Sequence, residues 1–246
     1  MNGFERICLI GFGEVGQILA DDLSAAGVAH IAAYDVLFAT PDSAPNLALS
    51  TRNVRAAASA PDAAQDADLV LCAVTAASDL GAANSVVPGL KRGAFYVDFN
   101  SASPDVKRKA AAIIERAGGR YVEAAVMAPI APKRIASPML LGGAHAQEFQ
   151  TLAAPLGFRG EVFSTELGQA SATKMCRSVM IKGIEALLTE AMLSARHYGV
   201  EKTVLASLSD LLPVGDWEKL AQYMISRSLE HGTRRAEEMR EVAETV

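Results

Sequence analysis

The sequence predicts an α/β fold: a doubly wound parallel sheet, followed by one long helix and a smaller all-α domain. Three observations carry this. Four short apolar runs of strand length lie in the first hundred residues, with intervals long enough for crossover helices. A glycine-rich break separates the first run from the helix after it. Beyond Leu167 the pattern turns helical to the end of the chain. At 246 residues, one α/β domain over 1–164 and a helical domain over 165–246 is the natural division.

Taken in order, Arg6 to Ile10 reads as a strand, and Glu14 to Ala26 repeats Val15, Ile18, Leu19 and Leu23 at helical spacing before Gly27. His30 to Tyr34, Leu69 to Val74 and Ala94 to Asp98 carry the signature of strands buried on both faces. Pro104 opens a helix that the double glycine at Gly118 and Gly119 stops, and Tyr121 to Met127 reads as the next strand. Pro129, Pro132 and Pro138 predict a loop, PMLLGG one further strand, and AQEFQTLAAPLG a short helix ended by glycine. Leu167 to Tyr198 then reads as one long helix broken only at Gly183. The last segment, TRRAEEMREVAETV, places Arg234 to pair with Glu237 or Glu238 and lacks a C-cap, so the helix is expected to be incomplete at Val246.

Composition narrows the function. Half the residues are apolar, too many for a disordered chain, and a formal net charge of -5 argues against a nucleic-acid or anionic-membrane surface. Cys8, Cys72 and Cys176 lie in apolar segments without CxxC spacing, so neither a disulfide framework nor a metal site is expected. With no basic-then-apolar leader and no apolar stretch near the ~20 residues of a membrane helix, a cytoplasmic protein is expected.

The stretch ERICLIGFGEVGQILADDL sets three glycines between strand and helix. Gly11 suits the positive φ of a tight turn, Gly13 lets backbone approach a pyrophosphate, and Gly16 allows close packing of helix on strand. Nineteen residues beyond Gly16, Asp35 ends the second strand, where a carboxylate can accept from ribose hydroxyls and repel a 2′-phosphate. These features predict a Rossmann domain that takes NAD, with NADP disfavoured. Phe12, Glu14 and Val15 in the turn, Tyr34 beside Asp35, Val74 and Thr75 at a strand end, and Asn100 complete the expected cofactor residues. The competing reading of Asp35 is a strand-ending aspartate that caps backbone.

The order of four motifs resembles the β-hydroxyacid dehydrogenase family, which includes 6-phosphogluconate and 3-hydroxyisobutyrate dehydrogenases. They are GFGEVG at Gly11–Gly16, VDFNSASP at Val97–Pro104, VEAAVMAP at Val122–Pro129 and GQASATKMCRS at Gly168–Ser178. The resemblance implies that Lys174 is the catalytic acid/base and that Asn100 and Ser101 lie beside nicotinamide and substrate. Two departures stand out: the family's Ser-Gly-Gly loop is Met127-Ala128-Pro129 here, and the asparagine three residues after the lysine is Arg177. They make the chain similar to a subgroup of NAD-binding 6-phosphogluconate dehydrogenase-like proteins with no assigned substrate.

On a helix, Lys174 and Ser178 fall one turn apart with Arg177 beside them, a donor cluster suited to an anionic substrate. A desolvated amine near Arg177 is expected to have a lowered pKa and so to exchange a proton near neutrality. The competing reading of Lys174 is a solvated helix lysine. Lys182 is expected to form a structural ion pair with Glu185, His231 either to reach substrate or to sit near a helix start, and Asp98 to anchor its loop through backbone hydrogen bonds. Together these predict an NAD(H)-dependent oxidoreductase acting on a small anionic hydroxy acid or its carbonyl partner. Ser101, Met127, Ala128, Arg177, Ser178 and His231 are the expected substrate residues. The alternatives are an imine or unusual-ketone reductase, prompted by the VMAP loop, and a catalytically silent NAD(H)-binding regulator. Leu187, Leu188, Met192, Leu205, Leu208, Leu211 and Leu212 exceed what so short a helical segment can bury alone, so a homodimer is expected.

Overall fold

The computed structural model describes residues 3–208 and 215–245, apart from the side chains of Thr233 and Arg234. The expected pairing of Arg234 and the apolar positions Leu211 and Leu212 therefore lie outside the described residues. Eight strands form one sheet: β1 (Arg6–Ile10), β2 (His30–Tyr34), β3 (Arg55–Ala56), β4 (Leu69–Cys72), β5 (Phe95–Asp98), β6 (Arg120–Val126), β7 (Met139–Gly142) and β8 (Gly160–Ser164). Their order is β3-β2-β1-β4-β5-β6-β7-β8. Around them run α1 (Glu14–Ala25), α2 (Ala44–Leu49), α3 (Ala60–Ala64), α4 (Asp79–Val86), α5 (Pro104–Arg116), α6 (Ile130–Lys133) and α7 (Ala146–Ala153). Three more helices follow: α8 (Gln169–Tyr198), α9 (Glu201–Ser207) and α10 (Trp217–Thr245).

Alternation along the strands builds two cores. Ile7, Leu9, Leu69 and Leu71 face one layer with Phe95 and Phe149, while Cys8, Ile10, Val70 and Cys72 face the other with Tyr96 and Tyr121. The chain divides into two compact units, one up to Lys174 and one from Met175 to Glu244. The second has its own core of Leu188, Met192, Ala195, Trp217, Ala221 and Met224.

Several expectations need correction. The sheet is not wholly parallel, because β6 and β7 pair antiparallel. An edge strand, β8, pairs parallel with β7 where none was expected, its pattern blunted by the exposed Glu161 and Phe163. Within the proline-rich loop a single helical turn, α6, starts directly after Pro129, since Pro132 still falls in the first turn, where its missing N–H costs little. Gly183 does not break α8: a Cβ there would meet nothing within 4 Å, and backbone hydrogen bonding carries the helix through. Lys182 does not pair with Glu185. Its Nζ lies 2.6 Å from Glu238, and Glu185 takes both arms of Arg235, so the charges join α8 to α10. Among the described residues, no helix is long and apolar enough to cross a membrane.

Candidate active site

The glycine turn is held by close approach. Gly11 has φ of +91°, and a Cβ on it would stand 2.3 Å from the carbonyl oxygen of Ala73. One on Gly16 would stand 2.2 Å from the Gly11 oxygen, which is the close helix-on-strand packing expected. Gly13 differs: nothing lies within 4 Å of its would-be Cβ. It is the N-cap of α1, and no side chain caps its first-turn amides. Open space, a bare helix N-terminus and a sharp turn fit a dinucleotide's pyrophosphate. Glu14 and Val15 are partly or fully exposed there. The Phe12 ring is buried against Phe38, so Phe12 offers the site only its backbone.

Asp35 does what the competing reading described. Its Oδ2 accepts from the Phe12 amide at 2.7 Å and its Oδ1 from the Leu37 amide at 2.8 Å. It thereby ties β2 to the glycine turn, reinforced by Gly11 N–H donating to the Tyr34 carbonyl at 2.9 Å. A carboxylate has about four acceptor positions, which leaves capacity for a ribose hydroxyl as well.

The second half of the site lies on the loop after β5. Asn100 is buried, accepts from the Val74 amide at 2.7 Å through Oδ1, and donates to Cys72 Sγ at 3.4 Å. Its carboxamide thus links β5 to the end of β4, while Thr75 Oγ1 lies 3.1 Å from Ser78 Oγ. Next to Asn100, Ser101 accepts a 2.7 Å hydrogen bond from Lys174 Nζ, both side chains being half-buried. Two motifs separated by 73 residues meet in this contact. Met127 and Ala128 are half-buried at the end of β6, Met127 donating its amide to the Pro138 carbonyl at 2.9 Å. Farther along that loop, Arg134 sits at φ of 55° and is held by Asp22 of α1, Nε to Oδ1 at 2.7 Å. Arg177, Ser178 and His231 belong to the second unit. His231 occupies a kink in α10, with φ of -123°, where its Nε2 lies 3.1 Å from Arg227 and 3.6 Å from Glu230.

Beneath this half lies a charge cluster that sequence reasoning missed. Lys107 is 1% exposed; its Nζ lies 2.6 Å from Asp98 Oδ1 and 3.6 Å from Asp79 Oδ2. Asp98 also accepts from the Asn100 amide at 2.9 Å and from the Tyr121 hydroxyl at 2.6 Å, so it anchors the loop as expected. Neither buried oxygen of Asp79 has a hydrogen-bond partner among the described residues. Burial, with the negative charge of Asp98 adding to it, raises the Asp79 pKa despite Lys107. Burial pulls the Lys107 pKa down, but Asp98 and Asp79 outweigh it and leave the ammonium above its usual range. Burial likewise pushes the Cys72 thiol up to about 12, which makes it inert. A signal was present: Lys107 falls on the stripe of Ala110, Ala111 and Ile114, and a lysine on a buried stripe demands a carboxylate. Glu123, inside the apolar strand β6, is the other missed residue; it accepts from the amides of Gly168 at 2.7 Å and Ser171 at 2.5 Å.

Residues 6–164 match the NAD binding domain of 6-phosphogluconate dehydrogenase, and residues 195–246 match a domain of unknown function, DUF1932. A conserved hypothetical protein from Sinorhizobium meliloti 1021 is 40% identical with a TM-score of 0.75, over 98% of this chain and 81% of that one. The conserved protein MTH1747, described as structurally similar to 3-hydroxyacid dehydrogenases, is 33% identical with a TM-score of 0.74, over 98% of this chain and 88% of that one. Human mitochondrial 3-hydroxyisobutyrate dehydrogenase is 24% identical over 82% of this chain, which spans only 60% of that protein's length. An imine reductase from Myxococcus stipitatus, solved with NADP+, shares the fold at 20% identity and a TM-score of 0.66, over 93% of this chain and 78% of that one. With the glycine turn, the Asn100–Ser101 loop and Lys174 in the family's order, the chain belongs to the NAD-binding 6-phosphogluconate and 3-hydroxyisobutyrate dehydrogenase-like family.

Proposed function

We propose that this chain is an NAD(H)-dependent oxidoreductase acting on a small anionic hydroxy acid or its carbonyl partner, with Lys174 as general acid/base. The observation that carries the reading is the 2.7 Å hydrogen bond from Lys174 to Ser101, which puts an ammonium donor beside the loop that also holds Asn100. The bound nicotinamide would supply the hydride chemistry. The chain's own residues bind and orient. Gly11 makes the sharp turn, Gly16 lets α1 pack close, Gly13 leaves room for the pyrophosphate, Asp35 receives ribose hydroxyls, and Val74, Thr75 and Asn100 shape the far end of the cofactor cleft. Lys174 holds the proton that the substrate oxygen gains or loses, and Ser101 keeps the ammonium aimed. Arg177, Ser178 and His231 offer donors to an anionic group, and Met127 and Ala128 set the shape where the family carries a serine and two glycines.

The test is a panel of hydroxy acids and carbonyl compounds read by reduced-cofactor absorbance, run on the unmodified protein and on Lys174→Met. Methionine keeps much of the side-chain length but carries no proton, so turnover should fall roughly 10²–10⁴-fold with cofactor binding nearly intact. Undiminished turnover in Lys174→Met would assign the proton to another group. The VMAP loop motivates a second reading, an imine or unusual-ketone reductase, because it removes a hydroxyl, a backbone N–H at Pro129 and glycine flexibility from the place where a carboxylate would be held. Imines form a separate arm of the panel, and turnover there alone would favour it. Cofactor binding without turnover on any arm would favour a silent NAD(H)-binding regulator.

A further inference from the structure

The buried carboxylate of Glu123 is unexplained by cofactor or substrate binding. It stands on β6 directly beside Asp98 on β5, the two being partners in the strand register. Its side chain is fully buried and points to the start of α8, accepting from Gly168 N–H at 2.7 Å and Ser171 N–H at 2.5 Å. Gly168 is the helix N-cap, since its carbonyl accepts the first helical bond from Ala172 at 2.9 Å. A glycine has no side chain with which to cap the third helical amide. Its φ of +95° explains why glycine stands there. Glu123 supplies the missing acceptor across space and sets a negative charge on the positive end of the helix dipole. Lys174 follows three residues after Ser171 on that same first stretch of helix.

We infer that Glu123 is the positioning residue for Lys174. Asp98 clamps the loop that ends in Ser101, Glu123 clamps the helix start that carries Lys174, and the two clamped segments meet in the Lys174–Ser101 hydrogen bond. The inference concerns the place of the lysine; its bearing on turnover rests on the proposed role of Lys174.

The test is competitive acetylation with trace acetic anhydride, with peptide mass spectrometry comparing Lys174 against Lys109, an exposed lysine of the same unit. Glu123→Gln keeps the shape but turns one acceptor into a donor facing an amide. Ser171→Pro deletes the amide from the other side, in a first turn that tolerates proline. A cap of this kind is worth about fivefold in a local equilibrium, so relative labelling of Lys174 should rise about fivefold in either variant. Glu123→Asp, which keeps the charge but reaches less far, should fall between them and the unmodified protein. Loss of thermal stability with unchanged relative labelling, in whichever variants fold by circular dichroism, would overturn the inference and leave Glu123 a structural residue only. Raised labelling in Glu123→Gln together with full turnover in Lys174→Met would sustain the positioning and reject the catalytic reading. Unchanged labelling with lost turnover in Lys174→Met would do the reverse.

Discussion

The two halves of the candidate site stand on different physics. At the glycine turn the structure depends on atoms that are absent: Gly11 and Gly16 each lie where a Cβ would fall within 2.3 Å of a backbone oxygen. Around Lys174 it depends on charges that are present, with Asp98 at the end of β5 beside Glu123 within β6 and Lys107 buried against the first. The steric half rests on close backbone approach, of Gly11 to Ala73 and of Gly16 to Gly11. The charged half rests on partners up to 73 residues apart, and its buried pairs fail when one member is removed, because the other is left buried and unpaired.

The largest expected effect falls on the charged half. Lys107→Met strands Asp98 and Asp79 in the core and should cost about 3–5 kcal/mol of stability in urea denaturation. A loss below about 1 kcal/mol would mean that the cluster does not hold this part of the core together. The same cluster sets a pH dependence. The Asp79 pKa is raised, so above the ordinary aspartate range near pH 4 the native state holds a proton that the unfolded chain has released. That contribution is favourable at low pH and is lost as pH rises through the shifted value, while Lys107 stays charged throughout. Asp79→Asn should flatten stability against pH, and a profile that keeps its slope would assign it elsewhere.

The steric half should respond less in stability and more in binding. Gly16→Ala forces its methyl against the Gly11 oxygen and should cost about 1–3 kcal/mol, with NAD affinity falling alongside. Unchanged calorimetric binding of NAD in this variant would dissociate the turn from the cofactor.

Asp35→Ser should weaken NAD roughly 10- to 100-fold and narrow the gap to NADP, since it removes both an acceptor and a repulsive charge. Because Asp35 also holds the Phe12 and Leu37 amides, Asp35→Asn is the milder comparison: it removes the charge and keeps one acceptor oxygen, while its NH2 replaces the other. Equal affinity of the unmodified protein for NAD and NADP would remove Asp35 as the selector.

The smallest effect on the folded monomer is expected in the helical unit, where Met180, Leu187, Leu193 and Leu229 are 63%, 69%, 66% and 82% exposed. We propose that a second copy covers them. Leu187→Glu with Leu193→Glu should halve the mass seen by light scattering at low micromolar concentration while changing monomer stability by less than about 0.5 kcal/mol. A monomeric mass for the unmodified protein would end that proposal.

How much was legible follows the same division. Strands β1, β2 and β4 to β6 could be read because each is a short, mostly apolar run, with β4 and β5 buried along their whole length, and the glycines because their spacing between strand and helix is visible in one stretch. Lys174 and Ser101 came through resemblance, and their hydrogen bond could not have been read from either stretch alone. β8 was missed because Glu161 and Phe163 both face out, leaving too few buried positions to show a period. Lys182 was paired with the wrong glutamate because helical spacing makes Glu185 a neighbour, whereas the observed partner lies 56 residues on. Lys107 was visible on a helix stripe of small apolar residues and Glu123 inside an apolar strand, yet which charges would meet them depends on strand order.

A Cβ on Gly142 of β7 would stand 2.8 Å from Glu123 Oε2, an oxygen already pinned by the Gly168 amide. That glycine is required by the length of another residue's side chain and by no turn. Residues 123 and 142 therefore constrain each other: alanine at 142 would press on the oxygen that holds the helix start, and shortening the acid to aspartate would relieve that contact only by loosening the hold.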